Sequence, residues 1–141
     1  AASKEALAAL EKINGKFIHA KITDATNTSS REYTVEDLMK LNGHDRIELL
    51  KMDIEGAEES VLPQFLQTNS VCQIMVEIHV LRQVPKLLRS IANAGFYLMH
   101  FEFNAFYTGV GLSEYSFIHG DCLNKYGATL LASYLKKPEE A

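Results

Sequence analysis

The sequence predicts an α/β domain: a mostly parallel sheet with helices on its faces and one antiparallel strand at the carboxyl end. Three observations carry this reading. Apolar periodicity switches repeatedly between helical and strand-like spacing along the 141 residues. Most of the strand-like runs are separated by helical stretches of about ten residues, which is what the crossover between parallel strands requires. The last two strand-like runs, Phe96 to Phe103 and Tyr115 to His119, have no helix between them, so antiparallel pairing is the economical way to join them.

The elements follow in order. Ala6, Leu7, Leu10 and Ile13 recur at helical spacing behind Ser3, a good N-cap, and predict a first helix. Phe17 to Thr23 alternates as a strand and runs into a polar loop from Asp24 to Ser30. Thr34 with Asp37 three residues on is a variant capping box for a helix through Leu41, closed by Asn42-Gly43. Ile47 to Asp53 is the next strand. A helical pattern then opens at Gly56 and continues to about Gln67, with Pro63 inside it predicting a kink or a break. Val71 to His79 is an apolar strand, Val84 to Asn93 a helix closed by Gly95, and Leu123 to Leu135 a helical stretch interrupted at Gly127.

Composition excludes several functions. With 47% hydrophobic and 23% charged residues the chain has the make-up of one soluble globular domain. A formal charge of −4 with scattered basic residues gives no electrostatic footprint for nucleic acid. Cys72 and Cys122 form no Cys-x-x-Cys pair, so neither a structural zinc nor a disulfide framework is expected. No targeting segment and no apolar run of roughly 18 residues predicts membrane insertion. The chain starts at Ala1 without a methionine, as a processed product or a fragment would.

The candidate site is the segment IELLKMDIEGAEESVL, residues 47–62, where an apolar strand ends in Asp53-Ile54-Glu55-Gly56 and turns helical. Ligands of open α/β sheets bind outside the carboxyl ends of the strands, so acids placed there face a site; a helix dipole would also favour acids near its start. Lys51, one strand period earlier, is placed to pair with Asp53, while Glu58 and Glu59 read as a solvated helical face. Glu77 and His79 share one face of the next strand, and a carboxylate inside VCQIMVEIHV needs a partner. Asp53, Glu55, Glu77 and His79 thus predict one cluster, serving either as a general base or, through Asp53, Glu77 and His79, as ligands of a divalent metal. Spacing does not separate the two. Asp24-Ala25 reads as a turn, as does Gly109-Val110-Gly111. Glu102 and Asn104 end the long strand. Phe101, Phe103, Phe106 and Tyr107 read as core, His100 and His119 as structural, and His19 and His44 as surface or packing residues.

These residues resemble the FkbM-like branch of class I S-adenosylmethionine-dependent methyltransferases, whose strand-to-helix junction reads much like LLKMDIEGAEESVL. The resemblance covers Phe17 to about Tyr126. Its most specific piece is Lys51-x-Asp53-x-Glu55-Gly56-x-Glu58, followed in order by QIMVEIH, EFN at 102–104 and EYSFIH at 114–119. It implies a Rossmann-like three-layer sandwich ending in a reversed strand, and methyl transfer from S-adenosylmethionine to a hydroxyl of a small molecule, glycan, lipid or peptide. It also implies adenine near Asp24 and Ala25, Asp53 and Glu55 flanking cofactor and acceptor, and Glu77 or His79 as the base. The family's Gly-rich turn after the first strand and the acid ending the second have no counterpart here. Aligned by order, the chain starts just after that second strand, as an N-terminally truncated single domain. A non-catalytic α/β module is the alternative, with its acids as helix caps and an open sheet edge available for self-association.

Overall fold

Strand β4 (Val71–Ile78) sets the geometry of the main sheet. Cys72, Ile74, Val76 and Ile78 are buried on one face, while Gln73, Met75 and Glu77 alternate onto the other and are only partly buried. Strand β3 (Ile47–Met52) lies parallel to β4, with Leu50 opposite Ile74 and Met52 opposite Val76. On the other side of β4 runs β6 (Ser113–His119), antiparallel, with Tyr115 opposite Val76 and Phe117 opposite Ile74. Strand β5 (Phe96–Phe103) pairs antiparallel with the outer side of β6. This arrangement comes from a computed structural model that describes residues 2–103 and 112–131. The order is β3-β4-β6-β5, so β6 alone is reversed and inserts between β4 and its own predecessor. The antiparallel closing pair expected from the loop is therefore present.

Three helices bury side chains against this sheet: α2 (Val35–Leu41), α3 (Glu58–Leu66) and α4 (Val84–Asn93). Val35 and Met39, Leu62 and Phe65, and Leu87 and Ile91 join Ile74, Val76 and Phe117 in one hydrophobic cluster. Burying an aliphatic or aromatic side chain of this size is worth about 1.5–3 kcal/mol, so this cluster dominates the stability. Thr34 caps α2 as expected, its hydroxyl accepting from the Asp37 amide at 3.1 Å. Helix α4 ends at Gly95, where φ is +91° and an added Cβ would meet His119 Nε2 at 2.8 Å, so only glycine fits the turn into β5. The first helix, α1 (Lys4–Lys12), is capped by Ser3 but buries none of its side chains. The result is an α/β fold with mixed sheets. Among the described residues no helix is long and apolar enough to cross a membrane.

Several expectations are corrected. The strand expected over Phe17 to Thr23 contracts to β1 (Lys21–Ile22), which pairs in parallel with β2 (Glu32–Tyr33) in a separate two-stranded sheet. Alternation alone does not make a strand; the neighbouring backbone reaches only two residues, and Phe17 and Ile18 stay exposed. Helix α3 starts at Glu58 rather than Gly56 and runs through Pro63 as one element. Burial of Leu62 and Phe65 on either side of the proline outweighs the one backbone hydrogen bond it removes. In place of a helix from Leu123, two 3-10 turns, Gly120–Cys122 and Asn124–Tyr126, end at Gly127 with φ +62°. The part of that stretch beyond Leu131 lies outside the described residues. Phe101 and Phe103, expected in the core, are exposed on the outer strand β5; Phe106 and Tyr107 lie outside the described residues.

The cysteines are also corrected: Cys72 and Cys122 form a disulfide. Gln73 sits opposite Ile118, so Cys72 lies beside the end of β6, and the turn after His119 carries Cys122 back onto it. That proximity is made by strand pairing, and no local spacing reveals it. The same carboxyl-terminal turns reach β3, where Glu48 accepts from Lys125 Nζ at 2.5 Å and from the Tyr126 hydroxyl.

Two measurements follow. A crosslink between residues 50 apart is worth about 4 kcal/mol by loop-closure entropy, as an upper figure. Urea unfolding of the oxidised protein should therefore lie well above that of the Cys72→Ala/Cys122→Ala variant; coincident transitions would show that the crosslink stabilises nothing. The Lys125 ammonium, and then the Tyr126 hydroxyl, hold the Glu48 carboxyl at about 2, below its ordinary 4.5. Because the folded value is the lower one, this contribution is complete above pH 4.5 and is lost as pH falls toward 2. An NMR titration of the Glu48 carboxyl should find its midpoint near the lower figure, and a midpoint at the ordinary one would rule the contacts out.

Candidate functional site

The site is built around the turn from β3 to α3. After Met52 the chain leaves the sheet, and Glu55 and Gly56 take φ values of +58° and +104°. Two successive residues at positive φ reverse the direction of the chain within a few residues. For Glu55 this is a sparsely populated conformation of the kind concentrated at ligand sites. At Gly56 the backbone angle is the constraint, since an added Cβ would find only Val80 Cγ2, at 3.7 Å. Ala57, the N-cap of α3, has no side chain with which to satisfy the amides of the turn.

Glu58 supplies what Ala57 lacks. Its Oε1 accepts from the amides of Ile54 and Gly56, both at 3.2 Å, and its side chain is fully buried. The same oxygen lies 3.0 Å from Nδ1 of His79, just past the end of β4. An oxygen already accepting two amide protons accepts a third, so Nδ1 carries the hydrogen and Nε2 presents its other side to the solvent end of the cluster. Glu58 is thus no member of a solvated face. Its neighbour Glu59 reaches across to Lys86 on α4 at 2.6 Å. The signal in the sequence was the pairing of an uncapped helix start with a carboxylate in the first turn, where orphan amides and the helix dipole both attract it.

His79 Nε2 lies 3.5 Å from Asp53 Oδ1 and 3.3 Å from Glu55 Oε2. Asp53, Glu77 and His79 each offer one atom within 4.8 Å of the others. The four residues picked out at the two strand ends therefore converge, with Glu58 added beneath them. The register extends the group: Glu77 sits opposite Glu114, and Glu114 opposite Glu102, so carboxylates line up across β4, β6 and β5. Lys51 pairs with Glu114 Oε2 at 3.9 Å rather than with Asp53, because the cross-strand row, not the neighbour in sequence, presents the nearer charge. Such an array can hold a cation, accept a proton, or orient a hydroxyl.

Other candidates stand apart. Asp24 and Ala25 are exposed in the turn after β1, where the Thr23 hydroxyl donates to the Ala25 carbonyl at 2.8 Å and Gln64 Nε2 lies 3.4 Å from the Asp24 carbonyl. No hydrogen bond or ion pair among the described residues joins them to the cluster. Glu102 is exposed near His100, at 3.7 Å, and Asn104 and Gly109 to Gly111 lie outside the described residues. His119 packs edge-on to Phe96 and accepts from the Asp121 amide, and His19 meets Arg31. Two surface clefts, one beside α2 and Asn69 and one beside Phe17 and Leu41, include none of the cluster residues.

The buried carboxylate makes a direct prediction. Glu58→Ala leaves two amides and an imidazole N–H without their acceptor and should cost about 2–4 kcal/mol in urea unfolding. Glu59→Ala, which removes a partly exposed ion pair, should cost under about 1 kcal/mol. Equal losses in the two variants would mean that Glu58 does not hold the turn.

A search of curated proteins finds no match. Residues 5–98, about two-thirds of the chain, match the methyltransferase FkbM domain. The matched span takes in the whole turn from β3 to α3, its buried carboxylate and the end of β4, and stops inside β5. On that span, the chain belongs to the FkbM methyltransferase domain family.

Proposed function

We propose that the chain is part of a class I, Rossmann-like methyltransferase domain that moves a methyl group from S-adenosylmethionine to a hydroxyl acceptor. The observation that carries this reading is the convergence of Asp53, Glu55, Glu77 and His79 at the carboxyl ends of two adjacent parallel strands, inside the family-matched span. The reversed β6, inserted beside β4, agrees with the closing strand expected of a three-layer methyltransferase sandwich.

The donors present suit the cofactor. The side chain of Asp53 is 45% exposed and Asp24 is exposed, so both carboxylates are open to the amino and hydroxyl groups of an adenosine or methionine moiety. When bound, S-adenosylmethionine supplies a methyl group activated on a sulfonium. What remains for this chain is to place the acceptor oxygen in line and to take its proton. The cluster is suited to both: Glu58 fixes the His79 ring from behind, and Glu77 and Asp53 flank its outward nitrogen. Asp24 and Ala25 take the adenine end in this reading, and Asp53 lies between cofactor and acceptor.

One observation favours a second reading. Glu58 spends its hydrogen bonds on the turn, and the outer strand β5 exposes Tyr97, Leu98, Met99, Phe101 and Phe103, as a non-catalytic module that pairs through its sheet edge would. Calorimetric titration with S-adenosylhomocysteine separates the two. The methyltransferase reading expects saturable binding by the wild type, weakened about tenfold or more in Asp53→Asn, as loss of a charged hydrogen bond implies. No binding heat, together with no methyl transfer to any hydroxyl acceptor offered, would leave the interaction module.

A further inference from the structure

We infer that Asp53, Glu77 and His79 form a binding site for a divalent metal ion. Two carboxylates and an imidazole are the donor types that first-row divalent ions take. Ligand atoms around such an ion, each about 2.1 Å from it, stand roughly 3 to 4 Å apart. His79 Nε2 and Asp53 Oδ1 stand at that spacing, 3.5 Å apart, and the three donor atoms all lie within 4.8 Å of one another, so a small closure of the set would complete the site.

A second, independent feature points the same way. Glu58 is fully buried, its Oε2 has no hydrogen-bond partner among the described residues, and its Oε1 holds Nδ1 of His79 at 3.0 Å. A carboxylate on the far nitrogen of a histidine is the arrangement that orients metal-binding imidazoles and sharpens their basicity. Here it aims Nε2 at Asp53 and Glu55. The charge balance also asks for a cation. Glu77, Glu114 and Glu102 face one another in register, like charges opposite each other are unfavourable, and Lys51 meets this row at 3.9 Å on Glu114 only. Among the described residues no lysine or arginine forms an ion pair with Asp53 or Glu77.

The inference deepens the proposed function and rests on it for the role of the ion but not for its binding. A hydroxyl bound to such an ion would give up its proton more readily, and the exposed Glu55 carboxylate, 3.3 Å from His79 Nε2, would take it. That activates an acceptor without a free lone pair on His79.

Mn²⁺ is the probe, followed by the electron paramagnetic resonance signal of the free ion and by calorimetry on the full chain. One saturable site per chain is expected, with nitrogen coupling from one imidazole in the bound spectrum. Asp53→Asn and Glu77→Gln should each weaken binding at least about tenfold, and Glu58→Gln, acting through His79, by about 10- to 100-fold. Glu32→Gln, in the separate two-stranded sheet, should leave affinity unchanged. Absence of saturable Mn²⁺ and Zn²⁺ binding by the folded wild type overturns the site, as does a bound spectrum without nitrogen coupling or unchanged affinity in Asp53→Asn and Glu77→Gln. S-adenosylhomocysteine titrations on the same samples keep the two ideas apart: ion binding without cofactor binding removes only the methyltransferase reading, and the converse removes only the ion.

Discussion

The buried carboxylate of Glu58 is the interaction on which the organisation of the site depends. It replaces the missing side-chain cap of α3 and satisfies two amides of a turn that holds Glu55 and Gly56 at positive φ. It also reaches the neighbouring strand through His79. A single side chain thus couples the end of β3 to the end of β4, and the relative position of Asp53 and His79 follows from it. Burial makes this coupling strict. A carboxylate taken from water is costly unless donors meet it, and three of them converge on the one oxygen Oε1, so the turn, the helix start and the imidazole stand or fall together.

The rest of the fold supplies a stiff platform for that junction. Ile74, Val76 and Ile78 of β4 are almost wholly buried and anchor the sheet from its middle, with α3 and α4 closing over them. Polar residues of β4 alternate to the opposite face, which is why Glu77 emerges beside Asp53 and in line with Glu114. Insertion of the reversed β6 next to β4 has two consequences. It brings Glu114 into the acidic row, and it delivers Cys122 to Cys72. Disulfides persist in oxidising surroundings, so the link between the start of β4 and the carboxyl-terminal turns holds only under such conditions.

Family membership and geometry meet at the same residues. The matched span contains the Asp-x-Glu-Gly junction and the Glu-x-His strand end, and the fold brings these two motifs together. A methyl acceptor and a metal ion place compatible demands on such a cluster, since both need anionic groups, an oriented imidazole and an open side toward solvent. Glu55 occupies that open side, with an exposed side chain 3.3 Å from His79 Nε2.

The sequence by itself determined the elements whose causes are local. Thr34 capping α2, Gly95 ending α4, and the span of β5 follow from side chains adjacent to the backbone they act on, and the strand-end position of Asp53 and Glu55 follows from where the apolar run stops. The closing antiparallel pair was legible because a short connection leaves few alternatives. What only the tertiary structure decided are the contacts made between distant segments. The burial of Glu58 depends on a histidine 21 residues away, the partner of Lys51 on the register between β4 and β6, and the disulfide on a separation of 50 residues. The strand expected over Phe17 to Thr23 shortened for the same reason: a strand is defined by the backbone beside it, and that neighbour lies elsewhere in the chain.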